Sequence, residues 1–325
     1  FFIAHSPTIT ASLFWMNPSD TFVDIQRSPY HNNDNDENTF IKEAQFQGKT
    51  RTIKFLSEGG YIDFIFNIGK FNQLIESYTD LTGKPSMPPL FSFGYHQSHW
   101  GYKTQEDVEN VIANLDKSKI PFDVFWLDID HLDSFAPFTV DKNTFPDLDG
   151  LIQKLGQKNR YLVKITDPHI SIYHQLAKEG IKNNYFVMQT YSNGTKPTPF
   201  KGLCWPGESY WPDFLNESAR SWWAHQFSTS FFLPNVFVWN DMNEPSVFHS
   251  IDGTFPKHLI HSGNYEDREV HNLYGILNTR ATFEGLIGRT EPYKERPFIL
   301  SRSHFSGSQK YTWVWSGDNI ARWSD

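Results

Sequence analysis

A chain of 325 residues with 38% hydrophobic and 17% aromatic content can bury a large core, which excludes disorder for most of its length. Its net charge of −8 and lack of any Lys/Arg run argue against a nucleic-acid partner or an anionic membrane surface, since both need a concentrated basic face. No stretch approaches the roughly eighteen consecutive apolar residues of a membrane helix, and the single cysteine, Cys204 beside Trp205 and Pro206, forbids an internal disulfide and reads as packing.

The sequence opens Phe1-Phe2-Ile3-Ala4-His5, without Met and already strand-like, so it reads as a fragment whose targeting signal is missing. Residues 1 to 82 carry short alternating segments, Ser12–Trp15 and Tyr61–Phe66, broken by Gly59-Gly60 and polar turns, as expected of antiparallel strands. His31 to Asn38 is acidic and Asn-rich, with nothing to bury, and is expected as a surface loop. It lacks the spacing of a calcium loop, and neither a metal nor a cofactor is expected in the chain. Phe71–Thr82 reads as a short helix. Gly83 to Pro89, with Pro85, Pro88 and Pro89, marks a boundary, because proline continues neither a helix nor a central strand.

From Leu90 strands alternate with helices, the pattern of a parallel α/β architecture. Phe91–His96 is the expected first strand, and Gln105–Leu115, opened by Thr104, the first helix. Asp123–Leu127 and Arg160–Ile165 supply a second and a third strand, and Ala219–Phe232 another helix. The run Asn235–Val238 after Pro234 is β-branched, aromatic and short, which favours a buried strand, the fourth. A helix over His271–Ile287, a fifth strand over Phe298–Ser301 and a sixth over Lys310–Trp315 complete the series. Six units fall short of the eight of a (β/α)8 TIM barrel, so the expected catalytic domain, residues 83–325, is an incomplete one.

Two of these strands run into carboxylates. The fourth leads to Trp239-Asn240-Asp241-Met242-Asn243-Glu244-Pro245, the sixth to Trp315-Ser316-Gly317-Asp318-Asn319. Singly, Asp241 or Glu244 could be a loop acid or a helix cap, and Asp318 the corner of a Gly-Asp-Asn turn. Together they meet the need of glycosidic cleavage, in which one carboxyl protonates the leaving oxygen and another handles the cation-like sugar. Eleven Trp and fourteen Tyr suit stacking on sugar rings and suit a core equally well.

These two strings resemble the signatures of glycoside hydrolase family 31, and so, in order, do Leu90–Gln97, Trp126–His131, Thr166–His169, Cys204–Gly207 and Arg302–Tyr311. The resemblance runs from Pro85 to Asp325 and is greatest for the branch of endoplasmic-reticulum glucosidase II and the neutral alpha-glucosidases. Phe1–Ile25 resembles the end of that branch's N-terminal β-sandwich, which residues 1–82 are expected to represent. The resemblance implies a retaining, exo-acting α-glucosidase with Asp241 as nucleophile and Asp318 as general acid/base, their carboxyls about 5 to 6 Å apart. It implies further that Asp128 binds the sugar hydroxyls farthest from the scissile bond and that Arg302 touches both sugar and catalytic site. Ile129, Ile165, Trp205, Trp239, Met242 and Trp315 would line the glucose pocket, with core packing an equal reading for Ile165 and Trp205.

His96, His131 and His169 are expected as satisfied structural histidines. Asp130, His304, Thr312-Trp313 and Arg322 depart from the branch and are expected to crowd the approach to Asp318, bearing on linkage preference more than on the reaction. The branch implies trimming of glucose from N-glycans in the endoplasmic-reticulum lumen, with a lectin-like beta subunit as partner. The sequons Asn193-Gly194-Thr195 and Asn216-Glu217-Ser218 are compatible with a secretory route. The alternatives are an enzyme in the cytoplasm acting on glycogen, maltosides or α-xylosides, and a glycan-binding homologue without turnover.

Overall fold

The computed structural model describes residues 1–27, 51–228, 233–289, 295–320 and 322–323; the acidic stretch 31–38 lies outside them, as do residues 229–232. Strand β1 (Phe2–His5) and β2 (Thr10–Trp15) pair antiparallel, and β2 pairs in turn with β5 (Phe64–Gly69). Between them β3 (Thr21–Arg27) and β4 (Arg51–Ser57) form a separate antiparallel pair. Alternation along β2 turns Thr10, Ser12 and Phe14 inward, and the Phe14 ring meets Tyr78 of helix α1 (Phe71–Thr82) edge-on at 5.3 Å. The strand expected from Tyr61 begins instead at Phe64, opposite Trp15. Because β2 ends at Trp15, Tyr61 and Ile62 fall beyond its ladder and stay exposed at 87% and 86%.

Six parallel strands follow as a curled half-barrel: β6 (His96–Gln97), β7 (Val124–Leu127), β8 (Tyr161–Ile165), β14 (Val236–Asn240), β17 (Ile299–Ser301) and β18 (Trp313–Val314). Their neighbours in space are their neighbours in this series, as the parallel β/α reading requires. The pleat divides their side chains into two cores. Val124, Trp126, Val163, Phe237 and Phe298 face the barrel interior with Trp239, Leu300 and Trp313. The alternate residues, among them Phe125, Leu127, Leu162, Val236, Val238 and Ile299, join the apolar faces of the surrounding helices.

Those helices are α2 (Gln105–Lys117), α3 (Leu148–Gln157), α4 (Gln175–Lys182), α5 (Glu217–His225), α6 (Asp267–Val270) and α7 (Leu273–Gly288). Thr104 caps α2 by accepting from the Asp107 N–H at 3.1 Å, and Asp107 returns the bond to Thr104 N at 2.9 Å. Asn216 caps α5, which ends at His225, earlier than the run of apolar residues suggests. The expected helix from His271 is α7, which begins at Leu273; the one-turn α6 before it lies outside the expected span. Gly285 of α7 brings that helix against α5, since a Cβ there would stand 2.4 Å from the Ala224 carbonyl oxygen.

Two expected strands are shorter than their sequence patterns. Leu90–Phe93 is a 3₁₀ turn rather than the start of the first strand. The reason is packing: Phe91 stacks on Tyr161 at 4.0 Å and lies 4.9 Å from Phe237, so it plugs the N-terminal end of the barrel. Ser308–Lys310 is likewise 3₁₀, leaving Trp313–Val314 as strand. The connections beyond the C-terminal ends of β8 and β14 carry small antiparallel sheets. Those strands are β9 (Ile170–Ser171), β10 (Met188–Gln189), β11 (Thr198–Pro199), β12 (Gly202–Cys204), β13 (Gly207–Tyr210), β15 (Ile260–His261) and β16 (Tyr265–Glu266).

Candidate active site

The period-2 pleat that packs the barrel interior also assembles the site above it. In β7 the inward residues are Val124 and Trp126, so the next inward position is Asp128; in β8, Val163 and Ile165 lead to Asp167. By the same step Trp239 leads to Asp241, and Leu300 to Arg302. Strand register then sets them side by side. Trp239 is level with Ile165 on one neighbour and with Leu300 on the other, so Asp241 lies between Asp167 and Arg302. All four sit at the C-terminal ends of parallel strands, the catalytic face of barrels of this kind.

Asp241 is 8% exposed, and its Oδ1 lies 3.2 Å from Arg302 Nε without an aligned hydrogen bond. The firm bonds of Arg302 go elsewhere. Nε donates to Glu244 Oε1 at 2.8 Å, and Nη2 donates to Glu244 Oε2 at 3.1 Å, Ser246 Oγ at 3.0 Å and Met242 Sδ at 3.2 Å. Burial pushes the Asp241 carboxyl up to about 6 against the pull of Arg302 and the Met242 N–H, with the charges of Glu244 and Asp318 adding to the rise. Burial opposes the charge on Glu244 too, yet its bonds to Arg302 hold it below the usual range. The loop is pinned by Asn243, whose amide donates to Ser301 Oγ at 2.9 Å and to Asn278 Oδ1 of α7 at 3.1 Å, and whose Oδ1 accepts from Ser303 N at 3.1 Å.

Asp128 is half-buried and accepts from Ile129 N at 2.7 Å; burial raises it to about 6 against that bond, with Asp130 and Asp318 contributing. Asp318 is exposed beyond β18, near enough for its charge to act on both Asp128 and Asp241. Ile129 and Ile165 are buried together with Leu132 against Trp239, and Trp239 meets Trp315 edge-on at 5.7 Å. Met242 packs into the larger core, its sulfur on Arg302. Trp205 stands at the tip of the β12–β13 hairpin, 42% exposed and edge-on to Phe248 at 4.9 Å.

The expected crowding of Asp318 by Trp313 is not what the fold does. Trp313 faces inward one layer lower, stacked on Phe298 at 5.5 Å, while the Thr312 hydroxyl donates to Ile299 O at 3.0 Å. Asp130 is taken up by the loop before α2, accepting from Gly101 N at 2.9 Å, and His304 is exposed with Nδ1 3.5 Å from Arg302 O.

Of the three histidines, His131 bonds Asp128 O through Nδ1 at 2.7 Å and His96 Nδ1 accepts from Trp126 Nε1 at 3.0 Å, each with its Nε2 left over. His169 differs from the expectation: neither ring nitrogen has a hydrogen-bond partner among the described residues, and Nε2 lies 3.7 Å from Asp167 Oδ2. Complete burial pushes His169 down to about 3, and burial with the charges of Asp241 and Asp128 holds Asp167 well above the usual carboxylate range. Both therefore favour their neutral forms. Asp167 and the ion pair of Glu244 lie inside sequence motifs that do not by themselves mark them; the inward step of two from Ile165 is the available signal for Asp167.

The profile of the "Glycosyl hydrolases family 31 TIM-barrel domain" matches residues 85–325. Human neutral alpha-glucosidase C is 41% identical over 340 residues, covering 100% of this chain and 36% of that protein. Mouse neutral alpha-glucosidase AB is 40% identical over 331 residues, covering 99% of this chain and 34% of that protein. A crystal structure of the ER glucosidase II heterodimeric complex, of catalytic subunit and the binding domain of regulatory subunit, superposes with a TM-score of 0.88 at 39% identity, over 99% of this chain and 34% of that one. The chain spans about a third of the length of the relatives it matches.

Proposed function

The chain belongs to glycoside hydrolase family 31, and from that premise we propose that this protein is a retaining, exo-acting α-glucosidase with Asp241 as nucleophile and Asp318 as general acid/base. The observation that carries the reading is Asp241 itself: a buried carboxylate at a strand mouth, 3.2 Å from the Arg302 guanidinium and within the field of Asp318. Asp318, the more exposed acid, protonates the glycosidic oxygen as Asp241 bonds to the sugar C1 and the aglycone leaves. It then takes a proton from the water that releases glucose. Asp128 is placed to accept hydrogen bonds from sugar hydroxyls, and the edge-on pair Trp239 and Trp315 offers an apolar wall.

Proton NMR of 4-nitrophenyl α-glucoside hydrolysis tests the stereochemistry. α-Glucose is expected first, followed by mutarotation; β-glucose first would mean inversion. For the physiological substrate, likeness to neutral alpha-glucosidase AB and to the ER glucosidase II complex supports trimming of N-glycan glucose in the endoplasmic-reticulum lumen beside a regulatory subunit. Cells lacking the protein are then expected to retain glucose on their N-glycans. Normal glycans with accumulated cytoplasmic glucan would favour the cytosolic alternative.

A further inference from the structure

Arg302 faces two carboxylates, Asp241 at 3.2 Å and Glu244 at 2.8 Å, and only Glu244 receives aligned hydrogen bonds. That asymmetry has a chemical meaning. A carboxylate that accepts a charge-assisted fork from arginine has its lone pairs occupied and is a poor nucleophile; a guanidinium charge held alongside stabilises the anion and leaves its lone pairs free. We propose that Glu244 is a positioning residue that holds Arg302 away from a direct fork with Asp241, leaving the lone pairs of the nucleophile unencumbered.

Three observations converge on this role. Glu244 engages Arg302 through both of its oxygens, matching the planar fork. Ser246 ties the pair down, its hydroxyl donating to Glu244 Oε2 at 3.0 Å and accepting from Arg302 Nη2 at 3.0 Å. Met242 Sδ accepts from the same Nη2 at 3.2 Å. Neutralising Glu244 leaves Arg302 with Ser246, Met242 and an amide as uncharged partners and makes Asp241 its nearest anion, so the guanidinium turns onto the nucleophile. The titratable groups facing Asp241 are Arg302, Glu244, Asp318 and the buried Asp167, and the change removes one negative charge while drawing the positive one closer. Both effects lower the pH at which Asp241 ionises.

The inference rests on the glucosidase reading of Asp241, and the test separates the two. In the full-length protein, Glu244→Gln is expected to lower kcat for 4-nitrophenyl α-glucoside by about 10²-fold with KM little changed, and to move the acidic limb of kcat/KM to lower pH. Glu244→Asp, which retains the charge, leaves that limb in place. A crystal structure of the Glu244→Gln variant should show Arg302 donating two hydrogen bonds to Asp241. Unchanged kcat, an effect on KM alone, or an Arg302 still directed at the substituted side chain overturns the proposal. If the wild-type protein hydrolyses no α-glucoside, the glucosidase reading fails by itself, and the Arg302 position in the variant crystal still decides the positioning role.

Discussion

Asp241→Asn is expected to lower kcat for an α-glucoside by on the order of 10⁴-fold, without lowering the melting temperature at pH 7. The size follows from losing covalent catalysis altogether, since an amide cannot form the glycosyl ester and the remaining groups contribute binding and proton transfer alone. The unchanged stability follows from linkage. Folding raises Asp241 from 3.8 to about 6, so its ionised form is disfavoured in the folded state. The stability it withholds is present below 3.8 and is lost progressively as pH rises to about 6. At pH 7 the wild-type chain bears that cost in full and the neutral variant does not. The same value places the acidic limb of wild-type kcat/KM near 6, an apparent constant that belongs to the cluster of acids rather than to Asp241 alone. Differential scanning calorimetry beside the kinetics checks both parts; an active Asn variant, or one that is inactive because it has unfolded, would contradict them.

The second large effect lies outside the site. His261, 3% exposed, is held between two carboxylates: Nδ1 is 3.0 Å from Asp213 Oδ1, and Nε2 is 3.1 Å from Asp267 Oδ1. Each nitrogen faces an acceptor, so both carry protons and the ring is an imidazolium. Asp267 reaches on to His271 Nδ1 at 2.8 Å, making one buried chain that joins the end of the β13 connection to β15 and α6. Burial opposes the charge on His261, yet its bonds to Asp213 and Asp267 raise it to about 9. Asp267→Asn removes the anion shared by two histidines and is expected to cost roughly 3–5 kcal/mol, the range found when one partner of a buried pair is taken away. The pH sign is set by the raised value: the stabilisation is complete below the unfolded imidazole pKa of about 6.5 and is lost as pH rises through about 9. Urea titrations at pH 6 and pH 9.5 should show a large difference between wild type and variant at the lower pH and a small one at the higher. A loss under about 1 kcal/mol at pH 6 would mean the network carries no net stabilisation.

How much of this was legible in the sequence depends on whether neighbours in the chain are neighbours in space. The strands under Asp128, Asp241 and Arg302 could be read because alternation and β-branching act within five or six residues, and the structure keeps them in the expected order. The ends of the series were read less well. Phe91 alternates like a strand residue, yet it turns into a plug because the interior below Tyr161 and Phe237 needs an aromatic ring, a need set by residues far along the chain. Trp313 misled in the opposite way: among the substitutions near Asp318 it looks like an obstruction, but its place one pleat lower puts it in the core. The Asp213–His261–Asp267 chain left no trace at all, since residues 48 and 6 positions apart meet only through the excursions from the barrel. Glu244 stood in plain view inside its motif, but its partner Arg302 is 58 residues away, and only the parallel pairing of β14 with β17 brings them together.

Whether Asp241 forms the bond to the sugar is decided by trapping the intermediate. Incubating the full-length protein with 5-fluoro-α-glucosyl fluoride, which forms the glycosyl ester and slows its hydrolysis, and then mapping the digest by tandem mass spectrometry locates the attachment. One fluoroglucosyl group is expected, esterified to Asp241 in the peptide that contains Trp239 and Met242. Label on Asp128, Asp167 or Asp318, or inactivation with no covalent label, would contradict it.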